Sequence, residues 1–290
     1  MDKVRIHPFL LFLVFMLLLP VAGGCDSNGG TTGSSKAEPQ AFSDEIQQKL
    51  NKVLDDQMAA ANLPGAIVGI WAPGKGEWVT ARGLADTETG RAIQLDDKVR
   101  IASNTKTFTA TVILQLVDED RLSLDDKLEQ YVPGIANGDI ITVRQLLNMT
   151  AGIYSFSHDD GFGARFDSDP LWKFTHEDML AIVRAHEPDF APGTDWSYSD
   201  TNYELLGMIV EQVTGNNIED EVQTRLLDPL DMKNTTFPTT PDMDEPFARG
   251  YTELPGSTGL SDYTLVDPSV PWAAGAIVSN LEDMLSLIHI

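Results

Sequence analysis

Residues 101–108 read IASNTKTF and place a serine and a lysine three residues apart at the predicted start of a helix. They lead into residues 109–118, TATVILQLVD, a run too apolar for a surface helix, which predicts a buried one. Residues i and i+3 of a helix lie on one face with Cβ atoms about 5–6 Å apart, so Ser103 and Lys106 are predicted to be neighbours. Two interpretations stay open here: a helix cap followed by an exposed charge, or a nucleophile with its base.

The second interpretation requires a specific chemistry of Ser103 and Lys106. A serine hydroxyl is a weak nucleophile and needs a neighbouring base. A lysine amine becomes such a base when burial or nearby positive charge lowers its pKa, and the apolar run after Lys106 would supply the burial. Backbone N–H groups at the helix N-terminus would stabilise an oxyanion formed at Ser103. Because Ser-x-x-Lys occurs often by chance, the pattern alone favours the cap and the exposed charge.

The composition excludes several classes of function. The chain has 290 residues, 42 % hydrophobic and 22 % charged, which is typical of a globular protein with one large domain or two packed ones. Its formal charge of −24 argues against a nucleic-acid partner, because phosphate binding needs a basic surface. The sequence contains no His-Glu-x-x-His motif, cysteine cluster or Gly-x-Ser-x-Gly elbow. We therefore predict neither an α/β-hydrolase nor a metal site, and no cofactor.

Residues 1–24 are predicted to be a lipoprotein signal peptide. Lys3 and Arg5 precede eleven apolar residues, 9–19, a run too short for a membrane span, which needs about 20 residues. The only cysteine, Cys25, follows the small residues VAGG, which resembles the lipobox of bacterial lipoproteins, although Ala22 stands where Leu, Val or Ile is usual. This implies acylation of Cys25 and an extracytoplasmic protein anchored to a bacterial membrane, with simple secretion as the alternative.

The rest of the chain is predicted to be a flexible tether, residues 25–41, and a folded domain, residues 42–290. The tether is rich in Gly, Ser and Thr. Ser43, followed by acidic residues and apolar residues at helical spacing, predicts a capped amphipathic helix. Two β-rich runs, 65–72 and 77–84, flank Pro-Gly-Lys-Gly and predict a hairpin. Helical spacing recurs over residues 143–149, 177–186, 203–214 and 218–227. A strand pair followed by helices and further β-like segments predicts an α+β fold.

A second stretch, residues 191–207, reads APGTDWSYSDTNYELLG and contains Tyr198 where a loop meets a helix. Together with Ser103-x-x-Lys106, with residues 121–133 (RLSLDDKLEQYVP) and with residues 143–153 (VRQLLNMTAGI), it resembles the serine β-lactamase and penicillin-binding superfamily. The nearest branch is that of the D-alanyl-D-alanine carboxypeptidases and class C β-lactamases. The resemblance runs from about residue 42 to residue 280. It implies a β-lactamase/transpeptidase-like fold, in which an antiparallel sheet is flanked by helices and joined by a helical subdomain.

The resemblance also implies roles for individual residues. Ser103 would be acylated, Lys106 would assist its deprotonation, and Tyr198 would relay the proton to the leaving group. Trp272 would form an aromatic wall of the substrate cleft, with core packing as an equal alternative. The implied function is a serine hydrolase, most specifically a D-alanyl-D-alanine carboxypeptidase acting on peptidoglycan stem peptides. A β-lactamase or esterase, acting on a β-lactam or ester small molecule, is one alternative, and a non-catalytic lipoprotein binding module is another.

The sequence departs from the family pattern at two places. The motif Tyr-x-Asn is here Tyr198-Ser199-Asp200, and an ionised aspartate can only accept hydrogen bonds. Either Asp200 is protonated, or it pairs with Lys106 while Tyr198 acts as the base, or the substrate preference has moved; all three stay open. The family's third motif, His-Thr-Gly or Lys-Thr-Gly, does not follow Trp272, and His289 comes too soon to belong to it. We therefore expect a domain that lacks its C-terminal strands and is inactive or unstable by itself.

Overall fold

The structure is a computed structural model that describes residues 40–254 and 257–288. The predicted signal peptide, Cys25 and His289 lie outside the described residues, as does most of the predicted tether. The last two tether residues are described: the Gln40 carbonyl accepts a 2.8 Å hydrogen bond from the Glu77 N–H, and Ala41 forms a bridge with Glu77. Regular structure therefore begins before residue 42, and the tether over residues 25–41 stays a prediction.

The secondary structure combines helices with short strands. The helices are α1 (Asp44–Ala60), α2 (Thr105–Asp118), α3 (Val143–Leu147), α4 (Asp160–Ser168), α5 (His176–Ala185), α6 (Asp200–Thr214), α7 (Ile218–Val222), α8 (Trp272–Gly275) and α9 (Leu281–Ile288). The strands are β1 (Gly65–Ala72), β2 (Gly76–Asp86), β3 (Arg91–Ala92), β4 (Val99–Arg100), β5 (Tyr251–Thr252), β6 (Ser261–Asp262) and β7 (Val278–Ser279). They pair antiparallel as β1-β2-β3, β4-β7 and β5-β6, which confirms the α+β class. Each helix within the described ranges is too short or too polar to span a bilayer.

Residues 40–95 form one compact unit built on the predicted hairpin. Strands β1 and β2 pair from Gly65 opposite Gly83 to Ala72 opposite Gly76, which confirms the hairpin. Gly83 has φ +88°, and a Cβ there would lie 2.2 Å from the Pro64 carbonyl oxygen, so only glycine fits. Helix α1 follows Ser43 as predicted, but the Ser43 side chain makes no capping hydrogen bond, and that part of the prediction is wrong.

Residues 96–288 form a second unit whose core surrounds α2 and α6. The side chains of Phe108, Val112, Ile113 and Leu116 on α2 are fully buried, which confirms the buried helix predicted from the apolar run. The core-facing residues of α6 include Leu205, Leu206, Ile209 and Val210. Burial of these two apolar faces provides the main favourable energy of the unit, since each fully buried aliphatic side chain contributes about 1.5–3 kcal/mol.

The short ladder between β4 and β7 brings α8 to the start of α2. Arg100 pairs with Val278, and the Ile101 N–H donates a 2.9 Å hydrogen bond to the Ile277 carbonyl. Helix α6 approaches α8 closely, because a Cβ on Gly207 would lie 2.6 Å from the Ala273 Cβ. The first turn of α2, the first two turns of α6 and the whole of α8 therefore converge on one region of this unit.

Candidate active site

Ser103 lies on a 3₁₀ turn, Ala102–Asn104, directly before α2 rather than inside one continuous helix. Ala102 has φ +46°, a backbone conformation that L-residues with a side chain rarely adopt. The turn is closed by hydrogen bonds from the Asn104 N–H (3.1 Å) and the Asn104 amide side chain (2.9 Å) to the Ile101 carbonyl. This local geometry places the Ser103 hydroxyl one turn ahead of Lys106.

The Lys106 ammonium group is buried and its hydrogen-bonding capacity is filled. Nζ donates to Ser103 Oγ at 3.2 Å, to Asp200 Oδ1 at 2.7 Å and to the Ala274 carbonyl at 2.8 Å. The Lys106 side chain is only 9 % exposed. An ammonium group has three protons and no lone pair, so these three acceptors engage all of them.

The pKa of Lys106 reflects a balance between burial and negative charge. Burial lowers the pKa, but the charge of Asp200, the charge on Tyr198 when ionised and the hydrogen bonds to both raise it, and the net result is a raised pKa. The burial that the sequence predicted is present and is the largest single effect, yet the interactions with Asp200 and Tyr198 together outweigh it. The Lys106–Asp200 contact corresponds to the second of the three alternatives for Asp200, in which the carboxylate pairs with the lysine.

Tyr198 reaches the same point from a distant loop. Its Oη lies 2.7 Å from Ser103 Oγ, and Lys106 Nζ lies 4.9 Å from the centre of its ring, within the range of a cation–π contact. The loop is attached to the segment after α3, because the Ser197 N–H donates to the Met149 carbonyl at 3.2 Å. The hydroxyl, the amine and the phenol that the sequence singled out therefore lie within hydrogen-bond or ring-contact distance of one another.

Asp200 is held by two serines that the sequence analysis missed. Its Oδ2 accepts a 2.8 Å hydrogen bond from Ser157 Oγ, and its N–H donates to Ser155 Oγ at 3.0 Å. The two serine hydroxyls are themselves 2.9 Å apart. The sequence offered only a Ser-x-Ser pair after Gly152, and Ser157 lies on a 3₁₀ turn, Phe156–His158, so no strand-like alternation marked the two serines. Both Asp200 oxygens are therefore engaged as hydrogen-bond acceptors.

Trp272 lies in the core of the structure. Its side chain is only 8 % exposed, and its Nε1 donates a 2.9 Å hydrogen bond to Glu219 Oε1. The ring packs against α6, where a Cβ on Gly207 would lie 2.8 Å from Cζ3. This burial favours the core-packing alternative, and the cleft-wall role stays a prediction. An exposed tryptophan is found instead at Trp196, 60 % exposed, on the loop that carries Tyr198.

The described residues contain no cluster of side chains that could bind a metal ion. Within residues 40–254 and 257–288, no group of three or more His, Cys, Asp and Glu side chains is arranged to hold a metal ion. The polar groups that surround Ser103 are one cation, one carboxylate, one phenol and backbone carbonyls. This set suits acyl transfer by a serine.

Comparison with known families agrees with this geometry. The family model described as Beta-lactamase matches residues 50–289. The chain belongs to the β-lactamase family. The chain also belongs to the wider superfamily of serine β-lactamases and penicillin-binding proteins. This confirms both the resemblance and the β-lactamase/transpeptidase-like fold, with helices and small antiparallel sheets.

Three relatives illustrate the range of this β-lactamase-family chain. A solved D-stereospecific amidohydrolase from Streptomyces sp. is 37 % identical with a TM-score of 0.73, over 80 % of this chain and 69 % of that one. Protein flp of Staphylococcus aureus (strain MW2) is 32 % identical over 223 residues, 75 % of this chain and 43 % of flp. Esterase EstB of Burkholderia gladioli is 31 % identical over 219 residues, 70 % of this chain and 55 % of EstB. The chain thus matches about half of the length of these curated relatives.

Proposed function

We propose that this chain is a serine hydrolase in which Ser103 attacks a carbonyl carbon and forms an acyl-enzyme. The observation that carries the proposal is the convergence of Tyr198 Oη, at 2.7 Å, and Lys106 Nζ, at 3.2 Å, on Ser103 Oγ. Covalent catalysis by serine requires a proton acceptor within hydrogen-bond reach and a further group that orients it. The similarity to an amidohydrolase and to an esterase supports the same reaction class.

In the proposed mechanism Tyr198 is the base, and Lys106 remains an ammonium ion. Lys106 has no lone pair to offer while its three protons are donated, and its raised pKa favours that charged state. The mechanism requires Tyr198 in its phenolate form, which takes the Ser103 proton as Oγ bonds to the carbonyl carbon and then passes that proton to the leaving oxygen or nitrogen. Water hydrolyses the acyl-enzyme by the same proton path in reverse. Acid–base assistance of this kind accelerates a reaction by about 10²–10⁴-fold.

For the substrate we propose an acyl group that ends in a D-amino acid. The specific candidate is the terminal D-alanyl-D-alanine of a peptidoglycan stem peptide, cleaved as by a carboxypeptidase. It is supported by the sequence resemblance and by the similarity to a D-stereospecific amidohydrolase.

An ester is the second candidate, and Asp200 is the observation that favours it. Both Asp200 oxygens already accept hydrogen bonds, so this side chain offers no donor to an amide carbonyl. The similarity to EstB points the same way.

We also propose that the protein is extracytoplasmic and held on a bacterial membrane by acylated Cys25. The support is the sequence of residues 1–25 alone. Radiolabelled palmitate incorporated by the wild-type protein in bacterial cells, and absent from Cys25→Ser, is the expected result. Equal labelling of both proteins would contradict the anchor.

The function is tested by covalent labelling of the full chain. A fluorescent penicillin is expected to label the wild type, with an adduct on the peptide that contains Ser103, and to leave Ser103→Ala unlabelled. Ser168→Ala, an exposed serine on α4, is the matched control and should label like the wild type. Hydrolysis rates on a D-alanyl-D-alanine peptide, a cephalosporin and a short-chain ester then identify the substrate class. A folded wild-type chain that is not labelled by penicillin and hydrolyses none of the three substrates would favour either the non-catalytic binding module or the inactive domain, without its C-terminal strands, that the sequence predicts. A labelled chain would contradict that expectation of inactivity.

A further inference from the structure

Glu204 is a buried carboxyl close to the reacting groups that the proposed mechanism does not use. It lies on α6, one helical turn after Asp200, and it is only 2 % exposed. A buried acid is normally paired with a base. Here Glu204 Oε1 instead accepts a 3.2 Å hydrogen bond from the backbone N–H of Ala274. A carboxyl in this position suggests a role tied to Ala274.

Ala274 connects Glu204 to the ammonium group of Lys106. Its N–H donates to Glu204 Oε1 at 3.2 Å and to the Pro271 carbonyl at 2.9 Å, and its own carbonyl oxygen accepts the 2.8 Å hydrogen bond from Lys106 Nζ. The preceding carbonyl, that of Ala273, is held by Thr109 Oγ1 at 2.7 Å. Helix α8 is therefore fixed from α6 on one side and from α2 on the other.

The position of Lys106 Nζ depends on where its acceptors lie. Asp200 Oδ1 and the Ala274 carbonyl bind it at 2.7 and 2.8 Å, and the remaining hydrogen bond, to Ser103 Oγ, is the longest of the three at 3.2 Å. If the Ala274 carbonyl moved, the ammonium group would follow it or turn towards Asp200, and the longest contact would be lost first. Misplacement of a catalytic group by about 1 Å can reduce a rate by about 10²-fold.

We propose that Glu204 is a positioning residue, which holds Ala274 so that its carbonyl directs the Lys106 ammonium group onto Ser103 Oγ. The inference rests on the proposed function, because the position of Lys106 matters only if Ser103 is acylated. Glu204 acts through its oxygen as a hydrogen-bond acceptor and does not touch the reacting atoms.

The raised pKa of Glu204 agrees with this role. Burial raises its pKa well above the ordinary value; the Ala274 hydrogen bond and the charge of Lys106 oppose this, and the charge of Asp200 adds to it. The raised pKa favours the neutral acid, and a neutral Glu204 would not compete with Asp200 for Lys106. Glutamine has the same length and keeps the acceptor oxygen, whereas aspartate is one methylene shorter and leucine has no acceptor.

The experiment separates position from folding by measuring two quantities in the full chain. Labelling with fluorescent penicillin gives an amplitude, which counts competent Ser103 sites, and a rate constant for acylation at those sites. We expect Glu204→Leu and Glu204→Asp to lower the rate constant by about 10- to 100-fold at unchanged amplitude. Glu204→Gln should stay within about threefold of the wild type. If the leucine variant does not fold, the comparison of glutamine with aspartate carries the test.

The matched control is Glu211→Leu. Glu211 also lies on α6, accepts a 3.2 Å hydrogen bond from a backbone N–H, that of Ile218, and has a pKa raised by burial. Its loss should leave the acylation rate constant unchanged.

Three results would overturn the inference. A Glu204→Leu protein with reduced amplitude but a normal rate constant would show a purely structural role. A Glu204→Gln protein as slow as Glu204→Leu would show that the acid itself is needed. A wild type that forms no adduct would remove the proposed function, and this inference with it, whereas the first two results remove this inference alone.

Discussion

Helices α3 and α5 begin differently from α2 and α6, the two helices that carry the candidate site. Both α3 and α5 start with a reciprocal capping box. Thr142 Oγ1 accepts from the Gln145 N–H at 3.2 Å while Gln145 Oε1 accepts from the Thr142 N–H at 3.0 Å. Thr175 and Asp178 repeat the arrangement at 3.1 and 2.9 Å. Their first-turn polar groups are used to stabilise their own backbones.

The site helices have no such side-chain caps. The Asn104 side chain, at the start of α2, donates to the Ile101 carbonyl instead of capping the helix. At the start of α6, the Ser199 hydroxyl is buried with no hydrogen-bond partner among the described residues, and Asp200 is bonded to Lys106 and Ser157. A local cap contributes about 1 kcal/mol, and at the start of α6 the Asp200 N–H is satisfied from outside the helix instead, by Ser155 Oγ at 3.0 Å. Natural proteins break local rules most often where function requires it.

Tyr198→Phe is expected to have the largest effect. It removes the hydroxyl that contacts Ser103 and keeps the ring, so acylation should slow by about 10²–10⁴-fold. The free energy of unfolding should change by less than about 0.5 kcal/mol, because the hydrogen bond from Tyr198 Oη to Ser103 is exposed. Penicillin labelling and urea denaturation measure the two quantities. A Tyr198→Phe protein that lost stability but kept its acylation rate would show that Tyr198 serves the fold rather than the reaction. That result would contradict the contrast between α3 and α5 on one side and the site helices α2 and α6 on the other.

Asp200→Asn should have the next largest effect, on stability and on its pH dependence. Removing the charge from the buried pair is expected to cost about 1–3 kcal/mol, since asparagine keeps part of the hydrogen bonding. The raised pKa of Lys106 means that the pair's contribution is complete below the ordinary lysine pKa of 10.5 and is lost as the pH rises through the folded-state value. Urea denaturation at pH 8 and pH 11 should therefore show that the wild type loses more unfolding free energy at the higher pH than Asp200→Asn does.

The substitution has a second readout at the catalytic site. Asparagine can donate a hydrogen bond to an amide carbonyl, so the rate on a D-alanyl-D-alanine peptide should rise relative to the rate on a short-chain ester. An unchanged rate ratio together with an unchanged alkaline loss of stability would mean that Asp200 is not a charged partner of Lys106.

Thr142→Ala and Thr175→Ala should each cost about 1 kcal/mol of unfolding free energy. The two helices share no cap partner, so the costs should add in the double variant. The acylation rate constant should not change, because neither threonine contacts the site. Serine at both positions is the matched control, since it keeps the capping oxygen. If the acylation rate constant fell when these caps were lost, the stability of α3 and α5 would affect the candidate active site, contrary to this expectation.

Ser199→Ala is expected to have the smallest effect. Its hydroxyl is buried and without a partner, so its removal should leave the unfolding free energy unchanged or raise it by about 0.5 kcal/mol. The same substitution at a working cap would cost about 1 kcal/mol. A cost of that size at Ser199, measured by urea denaturation, would show that Ser199 caps α6 in solution. Helix α6 would then not differ from α3 and α5 in its capping.

Much of the fold was predictable because its signals are local. The hairpin of residues 65–86 follows from two β-rich runs that flank Pro-Gly-Lys-Gly, and the burial of α2 follows from its apolar sequence. The pairing of Ser103 with Lys106 follows from helical spacing, although the serine lies on a 3₁₀ turn just before the helix.

Other features depend on distant contacts that no local pattern carries. The burial of Trp272 depends on Gly207, 65 positions earlier, which allows α8 to approach α6. The raised pKa of Lys106 depends on Asp200 lying 2.7 Å away, so burial alone predicted the opposite direction. The roles of Glu204 and Ser157 depend on the placement of α8 and of the segment before α4.

The left-handed backbone at Ala102 has a consequence for how the protein fails under stress. An alanine in this conformation costs about 1 kcal/mol or more, and the bend is held because the adjoining Ile101 is tied to Ile277 beside β7. Once that strand detaches, Ala102 is free to relax and to rotate the Ser103 hydroxyl away from Lys106 and Tyr198. As the urea concentration rises, ester hydrolysis or penicillin labelling should therefore be lost while the helical circular-dichroism signal is still intact. Loss of activity would then precede global unfolding.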